Sequence, residues 1–495
     1  MSAIIGCMLV PLSAMAQPKP LFSDQAPATQ APSAPGIEPE ITITPLDPPD
    51  FANLDQGRTE VRRGSWGSTP IGRIEQLLAA LPAAPSDPTA RRLQVELLTM
   101  PTPEEPPDER LLAVRLQRLV GLGEIDQARS LVDDQGYLGK SSDTAPAISQ
   151  LELASGRDAE ACDAAANAAR QATALDEIGL FCAIRRNDQD AALVMQNAMA
   201  ETDSLRAQPF GALVAVALGY AAPDTVDWSA EAHPVDLAMA RQLQLQIPVD
   251  VADAATLPAV ARLAGDSTVL PALRASARAR MDEARGTFTT VGPEATRLRA
   301  IPDAAERARA MVQLWQEIPD APTRIAYLPQ LGPIATTITP RIALSEQAPV
   351  LAAILLASGQ EGAALLWFQM LEVQAGGDRR QADRVAVLMI LAGLIDTSRM
   401  PASPNGLFDH ADAVWLTSGL AGQGVPLSGP WRTVLRSPPP PAEGAPAAIL
   451  AQALVDLQSS DPAVFAQGLS GLVAADRAID ARSVARSTVI ANLHG

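Results

Sequence analysis

From Ile71 onward, apolar residues return every three or four positions in blocks of about 10–18 residues, each closed by Gly, Pro or Asp. That period places one apolar stripe along a helix, so the chain reads as a succession of amphipathic α-helices. Strand-like alternation is confined to short runs such as Ile41-Thr42-Ile43-Thr44, which a solvated linker also explains. The expected fold class is all-α. The most apolar blocks, Pro340–Ala375 and Asp378–Ile395, are expected at its centre.

A second, longer period lies over the helical one. An apolar residue, a turn residue three places on and an Ala five places after that recur as Val120…Gly123…Ala128, Leu153…Gly156…Ala161, Ile184…Asn187…Ala192 and Leu356…Gly359…Ala364. Another apolar position stands three further on, at Leu131, Ala164, Met195 and Trp367. Gly or Asn accepts the left-handed conformation that ends a helix, and the small Ala lets the next helix pack closely on the one before. The first three turns are 33 and 31 residues apart. This spacing resembles the tetratricopeptide repeat, a helix–turn–helix unit, over about Glu109–Glu201 and around Val350–Gln374. The family's Trp, Tyr and Pro positions are not kept. The resemblance implies an α-solenoid of antiparallel helix hairpins, and a role in binding peptides or proteins in a groove lined by Ala-rich inner helices.

The blocks are bounded by proline. Residues 17–68 hold nine prolines among Ala, Ser and Gln and read as a disordered, extended linker. The helical-repeat solenoid follows over residues 69–432, a Pro-rich joint over 433–446 and a helical module over 447–495, either a cap or a separate docking piece. Within 234–339, prolines including Pro329 and Pro333 are expected to punctuate short helices, with Pro302-Asp303-Ala304-Ala305-Glu306 a helix start.

Composition sharpens the class. Apolar residues make up 47% of the 495 and aromatics only 3%, which favours helices over strands. The formal charge of −18 repels a phosphate backbone, so no nucleic acid is expected as a partner. Lys19 and Lys140 are the only lysines, and the Arg pairs Arg62-Arg63, Arg91-Arg92, Arg185-Arg186 and Arg379-Arg380 are each expected on solvated faces.

Residues 1–16 carry no charged side chain and read as a Sec-type signal peptide, with Ala14-Met15-Ala16 a small-x-small site cut between Ala16 and Gln17. Ile4-Ile5-Gly6-Cys7 has the form of a lipid-attachment box, but only six residues precede Cys7, so no lipid anchor is expected there. No later segment is apolar enough to span a bilayer. The expected location is the periplasm. Export leaves Cys162 and Cys182, which lie ten residues either side of Ala172; in an antiparallel helix pair that symmetry sets them opposite each other, and a disulfide is expected.

Chemistry is sparse. His233 precedes a helix, His494 is near the chain end, and His410 in Asp409-His410-Ala411-Asp412 has no second His or Cys at metal-ligand spacing; Asp409 reads as a helix N-cap. Gly139-Lys140-Ser141 ends like a phosphate loop, but Asp134 stands in place of its first Gly. Gly422-Gln423-Gly424 before Gly429 lacks dinucleotide spacing and reads as a loop. The six Trp are scattered, and Glu317 and Glu372 read as solvated helix residues. No catalytic residue, metal or cofactor is therefore expected. The expectation is a non-enzymatic scaffold binding other envelope proteins or peptides; the alternatives are a glycan-cleaving envelope enzyme acting on peptidoglycan and a lipid-anchored outer-membrane accessory protein.

Overall fold

Each turn of the long-period repeat is a left-handed stop. Gly123, Gly156, Asn187 and Gly359 have φ of 73°, 74°, 59° and 77°. At the first, the Gly123 N–H donates to the Val120 carbonyl (2.8 Å) and the Glu124 N–H to Leu119 (2.9 Å), and the same pair of bonds recurs at the other three. Helix carbonyls that would be orphaned are satisfied, and the chain reverses. Ala128, Ala161, Ala192 and Ala364 are fully buried where the returning helix meets its predecessor. A fifth copy, Val473…Asp476…Ala481, has Asp476 at φ 62° and Ala481 fully buried.

The computed structural model describes residues 65–102, 108–134, 143–167, 176–285, 292–374, 379–435 and 443–493. The expected leader with its Ala16–Gln17 site, Cys7, the expected linker as far as residue 64, Gly139-Lys140-Ser141 and His494 lie outside them. Residues 65–68, at the expected linker's end, belong to the packed body: Trp66 is fully buried and the Ser65 carbonyl accepts from the Ala447 N–H at 2.9 Å.

The fold is an all-α solenoid of antiparallel hairpins, without a strand among the described residues. The first row comprises α1 (Ile71–Ala80), α2 (Pro88–Thr99), α3 (Glu109–Gly121), α4 (Ile125–Asp134), α5 (Ala145–Ala154), α6 (Asp158–Asn167), α7 (Asp176–Arg185) and α8 (Gln189–Glu201). In this row α1 and α5 pack on α3, α6 on α5, and α7 on α6 and α8. Shorter pieces follow: α9 (Ala212–Ala217), α10 (Pro234–Gln242), α11 (Val251–Ala254), α12 (Leu257–Gly265) and α13 (Pro271–Arg285). Then come α14 (Pro293–Ala300), α15 (Ala304–Glu317), α16 (Ala321–Ala335), α17 (Ala348–Ala357), α18 (Glu361–Gln374) and α19 (Arg380–Leu391). The chain ends in α20 (His410–Gly422), α21 (Gly429–Val434), α22 (Pro446–Asp456), α23 (Pro462–Ala474) and α24 (Ala478–Asn492).

Two features depart from a simple row. α22 packs on α1 and α2, and α24 packs on α2, α16, α17, α19 and α20, so the last helices are built into the body and tie its start to its middle. Ionic and hydroxyl contacts follow the same seam: Arg92 pairs with Asp480 at 2.5 Å, Thr89 bonds Ser483 at 3.0 Å, and Ser487 donates to the buried Asp87. In addition, the inner face of α5 is not an open groove. Nine of its ten residues are buried, and α10 and α12 of the same chain lie against it.

Other expectations are corrected locally. Pro329 and Pro333 do not stop a helix but sit inside α16. Spaced four apart, they share its less buried face, where water can satisfy the carbonyls they free, while Leu328, Leu331 and Ile334 hold the other face in the core. Gly422 is not loop. It ends α20 against α23, where an added Cβ would lie 2.7 Å from the Ala466 carbonyl oxygen. Arg91 is not solvated but buried beside Glu124 at 2.9 Å. Asp409 is an N-cap as expected, accepting from the Asp412 N–H at 2.7 Å, and at the expected helix start Asp303 caps α15 by accepting from the Glu306 N–H at 2.7 Å.

Candidate functional site

Because the Gly123 and Gly156 turns stand side by side in the row, the N-termini of α4 and α6 open onto one space. The C-terminal half of α12, the turn Asp266-Ser267-Thr268 and one face of α13 close it into a cleft of about 750 Å³. Six arginines line it: Arg129, Arg157, Arg241, Arg262, Arg278 and Arg285.

Those arginines divide by how tightly they are paired. Arg262, with a side chain 2% exposed, clamps Asp158 through two bonds of 2.7 and 3.1 Å and donates to the Leu153 carbonyl at 2.5 Å. Arg129 reaches Glu152 at 3.0 Å and the Ser155 hydroxyl at 2.8 Å. Arg285 holds Glu124 at 3.0 and 3.2 Å, and shares its Oε1 with Arg91. The short pairs of Arg262 and Arg285 fasten α12 and α13 to the hairpin row. At the mouth the pairing is slack. Arg157 lies 3.9 Å from Glu152 and Arg241 3.7 Å from Asp266, each about half exposed, and the exposed Arg278 donates to the Ala264 carbonyl at 3.3 Å. Burial would raise the Asp266 carboxyl, but the Thr268 hydroxyl and amide and the charges of Arg241 and Arg262 outweigh it and hold Asp266 below the usual carboxylate range. It stays an anion, not a proton donor.

At the N-terminal end of α12 is a second cleft of about 510 Å³, with apolar walls from Val120, Leu153, Ile178, Val235 and Leu257. Glu177, Glu231, His233 and Arg280 stand in it. His233 is at the α10 N-cap position, its Nε2 3.6 Å from Glu231. Behind it, Arg206 makes paired bonds to Glu177 (2.8 and 2.9 Å) and to the fully buried Asp236 (3.1 and 3.0 Å). Burial alone would lower the Arg206 guanidinium; those bonds and charges reverse the sign and raise it above its ordinary value. Burial raises the Asp236 carboxyl above its ordinary value despite the bonds and charge of Arg206, and Arg206 thus bridges Glu177 and Asp236 as a structural contact.

The residues singled out in the sequence fall elsewhere. Cys162 and Cys182 are joined in a disulfide, Cα atoms 5.6 Å apart, tying α6 to α7. His410 opens α20 on an exposed position, and among the described residues no group of His, Cys, Asp and Glu could hold a metal ion. Glu317 accepts from Gln313, and Glu372 pairs with Arg379 at 2.8 Å and with Arg399; neither lines a cleft, and no Trp lines either one. The cleft arginines were not among the candidates. One signal was legible: Arg262 is the single charged residue in the apolar helix Leu257–Gly265. No helix among the described residues is long and apolar enough to cross a membrane. No protein-family model, curated protein or solved structure matches the chain.

Proposed function

We propose that this protein is an exported, periplasmic scaffold that binds another envelope protein or peptide, and that the arginine-lined cleft is its docking site. One observation carries the reading. Six arginines line that cleft, and the carboxylates behind its wall, Glu124, Glu152 and Asp158, are already taken up by three of them and Arg91 at 2.7–3.0 Å, which leaves arginine recognition groups at the mouth. An acid or base needs a carboxyl whose proton can move at working pH, and Asp266, which lines the cleft, is held as an anion by Thr268 and the nearby guanidinium charges despite its burial. The disulfide favours an oxidising compartment and so supports export. The repeated hairpins support a binding role, because their function lies in the surfaces that stacking creates. Self-coverage of α5 moves the docking surface from the inner groove to the cleft beside α12.

In-cell crosslinking of the full chain followed by mass spectrometry tests the reading. A stoichiometric envelope partner, together with no turnover in a peptidoglycan digestion assay, is the expected result. Clear glycan cleavage abolished by one Glu substitution would replace the scaffold with an enzyme.

A further inference from the structure

We infer that the mouth of the arginine cleft takes a carboxylate-bearing peptide, with Arg157, Arg241 and Arg278 as the groups that read it; this rests on the docking function proposed above. Ordinary surface arginines spend their donors on a neighbouring carboxylate or on water along a single helix face. These three come from three elements, the α5–α6 turn, α10 and α13, and line one concavity. Their intramolecular contacts are loose at 3.9, 3.7 and 3.3 Å: Glu152, beside Arg157, is taken up by Arg129, Asp266, beside Arg241, accepts from the Thr268 amide and hydroxyl, and Arg278 reaches a backbone carbonyl. Each guanidinium carries five donors in a planar fork suited to a carboxylate, so much of that capacity faces the cleft.

The N-termini of α4 and α6, each ten residues long, open onto the same space and add positive potential to that of the guanidinium groups. A space of 750 Å³ admits several side chains. The ligand is bounded on the other side as well. Asp126, Asp266 and Asp282 also line the cleft, so an unbroken run of acids would be repelled there. A chain of charge −18 would further oppose a long polyanion. The fit is a short segment with a few spaced carboxylates.

The test uses the full chain and a fluorescein-labelled octapeptide alternating Glu and Gly, read by fluorescence anisotropy at 20–30 mM salt (about, to limit screening). Binding should be lost when Gln replaces Glu in the peptide. It should weaken at least tenfold in Arg157→Gln/Arg241→Gln/Arg278→Gln and stay unchanged in the control Arg185→Gln/Arg186→Gln. Inorganic phosphate serves as a competitor: displacement at low millimolar phosphate would show that a bare anion suffices, and would overturn the peptide assignment. Equal binding by wild type and the triple variant, or none by wild type, would also overturn it. Because all three side chains are at the mouth, the triple variant should keep the wild-type melting temperature; Arg→Lys at the same positions should recover part of the affinity, which a folding defect would not. Crosslinking in cells separates the two readings. A partner captured equally by wild type and triple variant would leave the scaffold standing and remove this cleft as its recognition site.

Discussion

The charged residues inside this molecule show how much a single side chain can govern. Asp236 is fully buried, and Arg206 is the cation that compensates it. Arg206→Met should cost about 3–5 kcal/mol in urea denaturation, since it leaves a buried carboxylate without its counter-charge. Substituting Arg206 and Asp236 together by apolar residues should cost much less. Asp87 behaves differently. It caps α2 by accepting from the Ala90 N–H at 2.9 Å, and burial raises its carboxyl above the ordinary value despite the Ser487 hydroxyl and the Arg92 charge. A folded-state value above the unfolded one means that the group's stabilising contribution is complete in acid and falls as the pH rises through the raised value. Asn keeps the cap and sheds the charge. Asp87→Asn should therefore melt above wild type at pH 7, by on the order of 1 kcal/mol, and the gap should close toward pH 4. A gap that widens in acid would reverse the assigned direction.

At the level of helices, close approach between backbones sets the geometry of the C-terminal bundle. A Cβ at Gly468 would sit 2.9 Å from the Ala453 carbonyl oxygen and from the Leu457 nitrogen, so α22 and α23 would have to separate. Gly468→Ala should destabilise by about 1–3 kcal/mol. Gly362 in α18 has nothing within 4 Å of an added Cβ, and Gly362→Ala should stabilise by about 0.5–1 kcal/mol through helix propensity. Thermal scans of both variants decide whether space or propensity governs each site. The same elements show what could be read beforehand. Four hairpin turns were legible because Gly and Asn announce a left-handed stop and Ala recurs at a fixed distance. Asp476 makes an equivalent turn but was missed, since Asp more often marks a helix start than its end. Pro329 and Pro333 misled because sequence does not reveal that both face outward on a helix held by its other side. The cleft was illegible for a different reason. Arg157, Arg241 and Arg278 lie far apart along the chain, and only packing of α12 and α13 onto the hairpin row brings them to one mouth.

For the whole molecule, the deciding feature is where the last three helices go. A solenoid that merely adds hairpins has two ends, and its terminal piece touches only its neighbour. Here one continuous core includes Trp66, Leu93 and Leu97 from the start, Leu351 and Leu388 from the middle, and Leu450, Phe465 and Val489 from the end. Arg324 of α16 donates to the Ala491 and Leu493 carbonyls at 2.9 and 2.8 Å, fastening the C-terminal turn of α24 to the middle of the chain. Removing α22–α24 would uncover apolar faces on α1, α2, α17 and α20 at once, so these helices should not behave as a detachable module. A specific protease site placed between Leu435 and Glu443 provides the test. After cleavage the two fragments should co-elute in native size-exclusion chromatography and part only in denaturant, in a single transition that also melts the hairpin row. Separation in native buffer, with the 65–435 fragment still melting cooperatively, would mean that the C-terminal helices rest on the solenoid without holding it together.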